Sequence, residues 1–366
     1  MSSRIHWFRP GSGAGALIPE AIGRDNNSAL LNLVADNPDT TQLLLWKGAV
    51  MDQNDNTLLH SAAGGGHTNT VKLLLDKGAP IAAMNKNNDT PLHLAIKNGH
   101  TAVVELLLPK GASIEALRAE YNTLLHFAAQ KGQTGVVELL LEKGAGVEAM
   151  APTDNISPLH VAAENGHTGV VELLLEKGAR VEAMAPTDNS SPLHLAAENG
   201  HADIVELLLK RKASIDAVDY RLNTSLHIAS RGGHTGVAKL LVENGASIDV
   251  KNGLGNNPLH LAAYQGHTTL AELLLGKRAS VEVKNAHGST PLHIAAGKGH
   301  TGVVKLLLAH GAPIEATNAY GSTPLRLAEK LDIVELLTYQ ATKRVDQVTP
   351  EVQNERKRGW WRISKA

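Results

Sequence analysis

A histidine returns on an almost fixed beat along this chain. His60, His93, His126, His160, His194, His227, His260 and His293 are separated by 33, 33, 34, 34, 33, 33 and 33 residues. Each copy stands in nearly the same phrase. An example is Thr90-Pro91-Leu92-His93, followed by an apolar or alanine pair, a Gly-His step, a Val-Val/Leu-Leu-Leu run and Gly-Ala. Self-similarity at this period marks a stacked array, in which each unit buries its apolar face against its neighbours. It also shapes function, because an array offers a long surface whereas chemistry usually needs a pocket.

The phrase spells two short helices. Thr90 is a good N-cap, its hydroxyl able to accept from a free amide of the first turn, and Pro91 falls where a missing N–H costs nothing. Leu92, Ala95 and Ile96 give that helix a one-sided apolar stripe. Gly99 ends it, since glycine takes the left-handed conformation readily. A second helix runs from about Thr101, with Val103, Leu106 and Leu107 at helical spacing and Glu105 facing out, until Gly111 stops it. Neither helix is long enough to persist alone, so stability must come from stacking.

Between repeats lie turn fingers. Asp52, Asn85, Asp219, Asn252, Asn285 and Asn318 open them, where such side chains bond their own backbone. A later position needs positive φ; Gly255, Gly288 and Gly321 fill it, with Asn88, Asn155 and Asn189 as tolerated substitutes. Tyr121 and Leu222 break this rule, so their fingers should be remodelled or strained.

These motifs resemble the ankyrin repeat family. The clearest copies are Thr90-Pro91-Leu92-His93-Leu94-Ala95 through Gly111-Ala112 and Thr290-Pro291-Leu292-His293-Ile294-Ala295-Ala296 through Gly311-Ala312, and eight consecutive units match from about Asp52 to Thr317. The resemblance implies an all-α repeat solenoid, an ankyrin-type array of helix-turn-helix units joined by hairpin-like fingers, with protein–protein interaction as its usual activity. Degenerate units flank the eight. Leu43-Leu44-Leu45-Trp46 through Ala49 is the second half of one, and Thr323-Pro324-Leu325-Arg326-Leu327-Ala328 begins another in which Arg326 replaces histidine. Both are expected to act as caps. The domain reading is an N-terminal extension over 1–23, a repeat domain of about ten units including the caps over 24–340, and a basic tail over 341–366.

Composition sets limits. The chain is 43% hydrophobic but 3% aromatic, which suits thin layers of Leu, Val and Ala. A net charge of −1 gives no global field to draw nucleic acid, and nucleic acid is not an expected partner. Cysteine is absent, which excludes disulfides and thiolate metal sites and fits a reducing, cytoplasmic setting. Eighteen histidines invite a metal reading, but fifteen fall on the repeat: the eight above, and His67, His100, His167, His201, His234, His267 and His300 after a glycine. A ladder of identical residues lacks the mixed ligands of a metal site. Glu164 and Glu198 occupy equivalent positions and resemble an acid–base pair, yet a solvated patch explains them better. No catalytic residue, cofactor or metal is therefore expected.

What varies between repeats is the better guide to function. Along the first-helix row the variable residues include Arg231 and Tyr264; along the finger tips they include Arg118, Tyr121, Tyr220, Arg221, Leu254, His287 and Tyr320. Tyr and Arg are favoured interface anchors, so these nine are the candidate partner contacts of a monomeric scaffold or adaptor. A more specific version is a host-directed effector or targeting adaptor of an intracellular bacterium, acting in the host cytosol; an enzyme with a cryptic site is the remote rival. The tail differs in kind. Arg356, Lys357, Arg358, Trp360, Trp361 and Arg362 join bases to two tryptophans, which suits a solvated tail, peripheral contact with anionic membrane, or an address read by another protein.

Overall fold

A computed structural model describes residues 57–113, 123–151 and 155–343. Among them every regular element is helical and no strand occurs. Arg118, Tyr121, the first capping unit, the N-terminal extension and the Trp-containing tail lie outside the described residues.

The chain forms two compact units, Met1–Arg180 and Val181–Ala366, where the repeat pattern suggests one domain over 24–340. Each layer of such an array is held by its neighbours alone, so compactness is local to a few layers. In the first unit the helix pairs are Leu58–Gly64 with Thr68–Asp76, Pro91–Lys97 with Thr101–Leu107, Leu124–Gln130 with Thr134–Glu142, and Pro158–Glu164 with Thr168–Glu176. In the second they are Pro192–Glu198 with Ala202–Lys210, Ser225–Gly232 with Thr235–Glu243, Pro258–Gln265 with Thr268–Gly276, and Pro291–Lys298 with Thr301–Ala309. A last layer pairs the short helix Pro324–Leu327 with helical residues 331–343. Helical residues continue past the sequence-drawn boundary at 340 to residue 343, the last described.

The core is a series of thin sheets of side chain. The leucine before each repeat histidine is at most 2% exposed from Leu59 to Leu292, and the second-helix column Val104, Val137, Val205 and Val304 is fully buried. Small residues fill the first-helix column between them, Ala163, Ala197, Ala263 and Ala296 among them, which lets successive helices approach closely.

The fingers turn as expected. The Asp219 carboxylate accepts from Arg221 N–H and Asn223 N–H, both at 2.8 Å, and Asn252, Asn285 and Asn318 repeat the arrangement. Leu222 takes φ 59°. The finger is thus strained rather than remodelled, its turn held by Asp219 on both sides. Two strained positions went unread in the sequence: Lys212 (φ 65°) and Arg278 (φ 68°) stand where the other second helices end in glycine.

The last layer departs from the capping expectation. Arg326 is a polar replacement, but Leu325 keeps the repeat's leucine and is 36% exposed, and Leu331 is 71% exposed. The repeat signature has been altered at its histidine and retained at its apolar contacts.

Candidate partner-binding surface

The repeat histidines are committed to the scaffold. Thr224 N–H donates to His227 Nδ1 at 3.2 Å, the Thr224 hydroxyl donates to the same atom at 2.9 Å, and His227 N–H closes the box on that hydroxyl at 3.4 Å. On its far side His227 Nε2 donates to the Asn256 carbonyl of the next finger at 3.0 Å. His194 reaches Asn223, His260 reaches Ser289 and His293 reaches Ser322 in the same way, as do His60 to Asp89 and His126 to Ile156 in the first unit. A backbone donor on one nitrogen and a backbone acceptor at the other fix the ring as the neutral Nε2–H tautomer. Burial pushes His260 down to about 4; Lys251 adds to the push, while the Ser289 and Val283 carbonyls and Asp249 oppose it. His194, His227 and His293 are lowered by burial likewise.

The histidines after glycine form a second staple, pointing the other way. His234, His267 and His300 donate through Nε2 to the carbonyls of Glu198, Arg231 and Tyr264 at the end of the preceding first helix. His100 and His167 do the same to Gly64 and Gln130. The glycine of the preceding repeat is needed twice over. Gly266 has φ 81°, and a Cβ there would stand 2.5 Å from His300 Nδ1. Where Gln133 replaces this histidine, it reaches Lys97 O only at 3.4 Å.

A third ladder was missed by the sequence reading. The carboxylates of Glu148, Glu182, Asp216 and Asp249 each accept the backbone N–H at the start of the next finger, from Arg180, Ser214, Ser247 and Ser280. Their spacing of 34, 34 and 33 residues was there to be read; a lone acid per repeat resembles an ordinary solvated charge.

Among the described residues no cluster of three or more His, Asp or Glu side chains has a metal-binding arrangement. Glu198, half of the possible acid–base pair, instead meets Arg231 at 3.1 Å in an exposed ion pair. No helix among the described residues is long and apolar enough to cross a membrane.

The variable residues sit on two rows of the second unit. At the finger tips, backbone bonds join one finger to the next: Tyr220 N–H to Asp188 O, Gly253 N–H to Arg221 O, Ala286 N–H to Leu254 O and Ala319 N–H to His287 O, all 2.8–3.0 Å. Asp188, Arg221, Leu254, His287 and Tyr320 are thereby equivalent, 33 residues apart, and present unlike side chains from one row. Tyr220, Leu254 and Tyr320 are 60%, 63% and 73% exposed. Arg221 lies over the Tyr220 ring at 5.1 Å and its Nε donates to the phenol; Tyr320 stacks on His287 at 6.4 Å and 24°. On the first-helix row Tyr264 is capped by Lys298, whose ammonium is 4.4 Å from the ring centroid. Arg231 and Tyr264 thus each take a partner from a neighbouring repeat, Glu198 and Lys298 respectively, while Tyr220, Arg221, Leu254, His287 and Tyr320 are gathered at the tips.

A family model described as ankyrin repeats (three copies) matches residues 30–118, 116–185, 182–252, 219–285 and 259–347. Comparison with curated proteins gives no match.

Proposed function

From the premise that the chain belongs to the ankyrin repeat family, whose repeats generally serve as protein–protein interaction modules, we propose that it is a non-enzymatic binding scaffold whose partner contacts the finger-tip row of the second unit. The carrying observation is that row itself. The fingers carrying five equivalent positions are joined through backbone bonds that place no demand on the side chains, and three large apolar or aromatic groups, Tyr220, Leu254 and Tyr320, stand mostly in solvent beside Arg221 and His287. Exposed Tyr and Arg held in place by their neighbours bring anchoring groups to an interface at low entropic cost. Tyr264 extends the surface onto the helix row. The occupant is a protein segment able to meet aromatic and cationic groups alternately along its length.

The test compares proteins captured from lysate by the parent and by the variant Arg221→Ala/Leu254→Ala/Tyr320→Ala. Loss of specific captured proteins at unchanged helicity supports the reading; an identical captured set from both would refute it.

A further inference from the structure

Among the described residues nothing packs on the outer side of the last layer. The leucine column that is at most 2% exposed elsewhere becomes 36% exposed at Leu325, and Val334 is half-buried where the equivalent Val304 is fully buried. Leu331 stands in the column of Thr268 and Thr301, whose hydroxyls point at the following repeat. A Cβ on Gly302 would meet Thr268 Oγ1 at 2.9 Å, and Thr301 Oγ1 donates to Asp332 at 2.7 Å. Leu331 therefore points where a following layer would lie, and is 71% exposed. Leu325, Leu331 and Val334 together present an apolar face of the kind that the earlier layers of the second unit cover with their successors. No repeat phrase follows in residues 344–366.

We propose that residues 344–366 fold back over this open end, Trp360 and Trp361 covering Leu325, Leu331 and Val334 in place of a further repeat. The described helix of that same layer runs to residue 343, directly before this segment in sequence. The 16 residues before Trp360 reach on the order of 50 Å when extended, well beyond the roughly 8–10 Å between packed helices. Two tryptophans bring roughly 150–250 Å² of surface each, enough to cover three aliphatic side chains. Charge agrees. Glu329 is exposed where the other repeats bury Ala, Ile or Ser, and Glu335 is exposed beside it in sequence, while Arg358 and Arg362 flank the tryptophans. Tethering favours this occupant over any free one, since a short linker holds it at an effective concentration near millimolar.

The experiment is hydrogen exchange resolved over residues 324–343, in the full chain, in the chain ended after residue 343, and in Trp360→Ser/Trp361→Ser. Those substitutions touch no described layer, so folding of the array is not at stake. The full chain should exchange there about tenfold more slowly than either variant, independently of protein concentration. Because the chain has no cysteine, a Leu331→Cys/Trp361→Cys pair adds a direct readout and should oxidise to an intramolecular disulfide. Equal exchange in all three proteins would overturn the proposal. So would protection that grows with protein concentration, the mark of a second copy stacking on this face, or protection that arises only with anionic vesicles.

Discussion

The buried histidine column and the finger-tip column share a period and a task, yet only one of them keeps its residue. From His194 to His293 each step binds the next finger through a ring nitrogen. From Asp188 to His287 each step binds the next finger through the main chain. A bond made by a side chain restricts the position to residues that can make it; a bond made by backbone places no such restriction on its side chain. The tips therefore change from Asp to Arg, Leu, His and Tyr at no cost to the stack, which is how one scaffold presents an individual surface.

Acid should separate the two columns most strongly. The folded pKa values of His194, His227, His260 and His293 lie below the usual 6.5, so below pH 6.5 the unfolded chain binds protons that the folded one does not. Stability is fully present above that pH and falls as pH drops toward about 4. His260 alone accounts for about 2 kcal/mol by pH 5, before most carboxylates titrate. Denaturant titrations of residues 181–366 in the full chain, followed by exchange at pH 7 and 5, should show this loss. A flat profile over that range would mean the rings are not locked neutral.

Gly266→Ala comes next, with an expected loss of about 2 kcal/mol from a left-handed alanine and a displaced His300 staple. A thermal melt measures it, and a loss under 0.5 kcal/mol would show that the second histidine column is slack. Smaller effects of the opposite sign are expected where the chain breaks its own rule. Arg278→Gly should add about 1 kcal/mol by relieving φ 68°. Ser230→Ala should add a similar ~1 kcal/mol, because the buried Ser230 hydroxyl has no partner at a position that the other described full repeats fill with alanine or, at Ile96, isoleucine. No gain from either would mean that the local backbone or packing has adapted around them.

The fold was legible because it is written many times. Caps, turn residues and positive-φ positions could each be checked against their own copies, so Leu222 stood out from its column as a finger either remodelled or strained, and its φ of 59° decides for strain. What a single copy cannot display was lost. The Glu148–Asp249 ladder uses an exposed acid to hold a neighbour's main chain, a pairing visible only in three dimensions. The apolar end at Leu325 and Leu331 was hidden because the last unit loses its histidine and so resembles a polar cap. At the surface, the variability of Tyr220 through Tyr320 and the 33-residue spacing of Arg221, Leu254, His287 and Tyr320 were plain, but that backbone bonds join their fingers was not.

The central claim is that interior columns carry the fold and tip columns carry recognition. The direct measurement titrates a captured partner against Tyr220→Ala/Leu254→Ala/His287→Ala/Tyr320→Ala and against His260→Ala, with the unfolding free energy of each taken alongside. The tip variant should stay within about 0.5 kcal/mol of parent stability and lose at least about tenfold in affinity. His260→Ala should bind normally while folded and be less stable by about 2–3 kcal/mol. A tip variant that unfolds early, or that binds as tightly as the parent, would contradict the account.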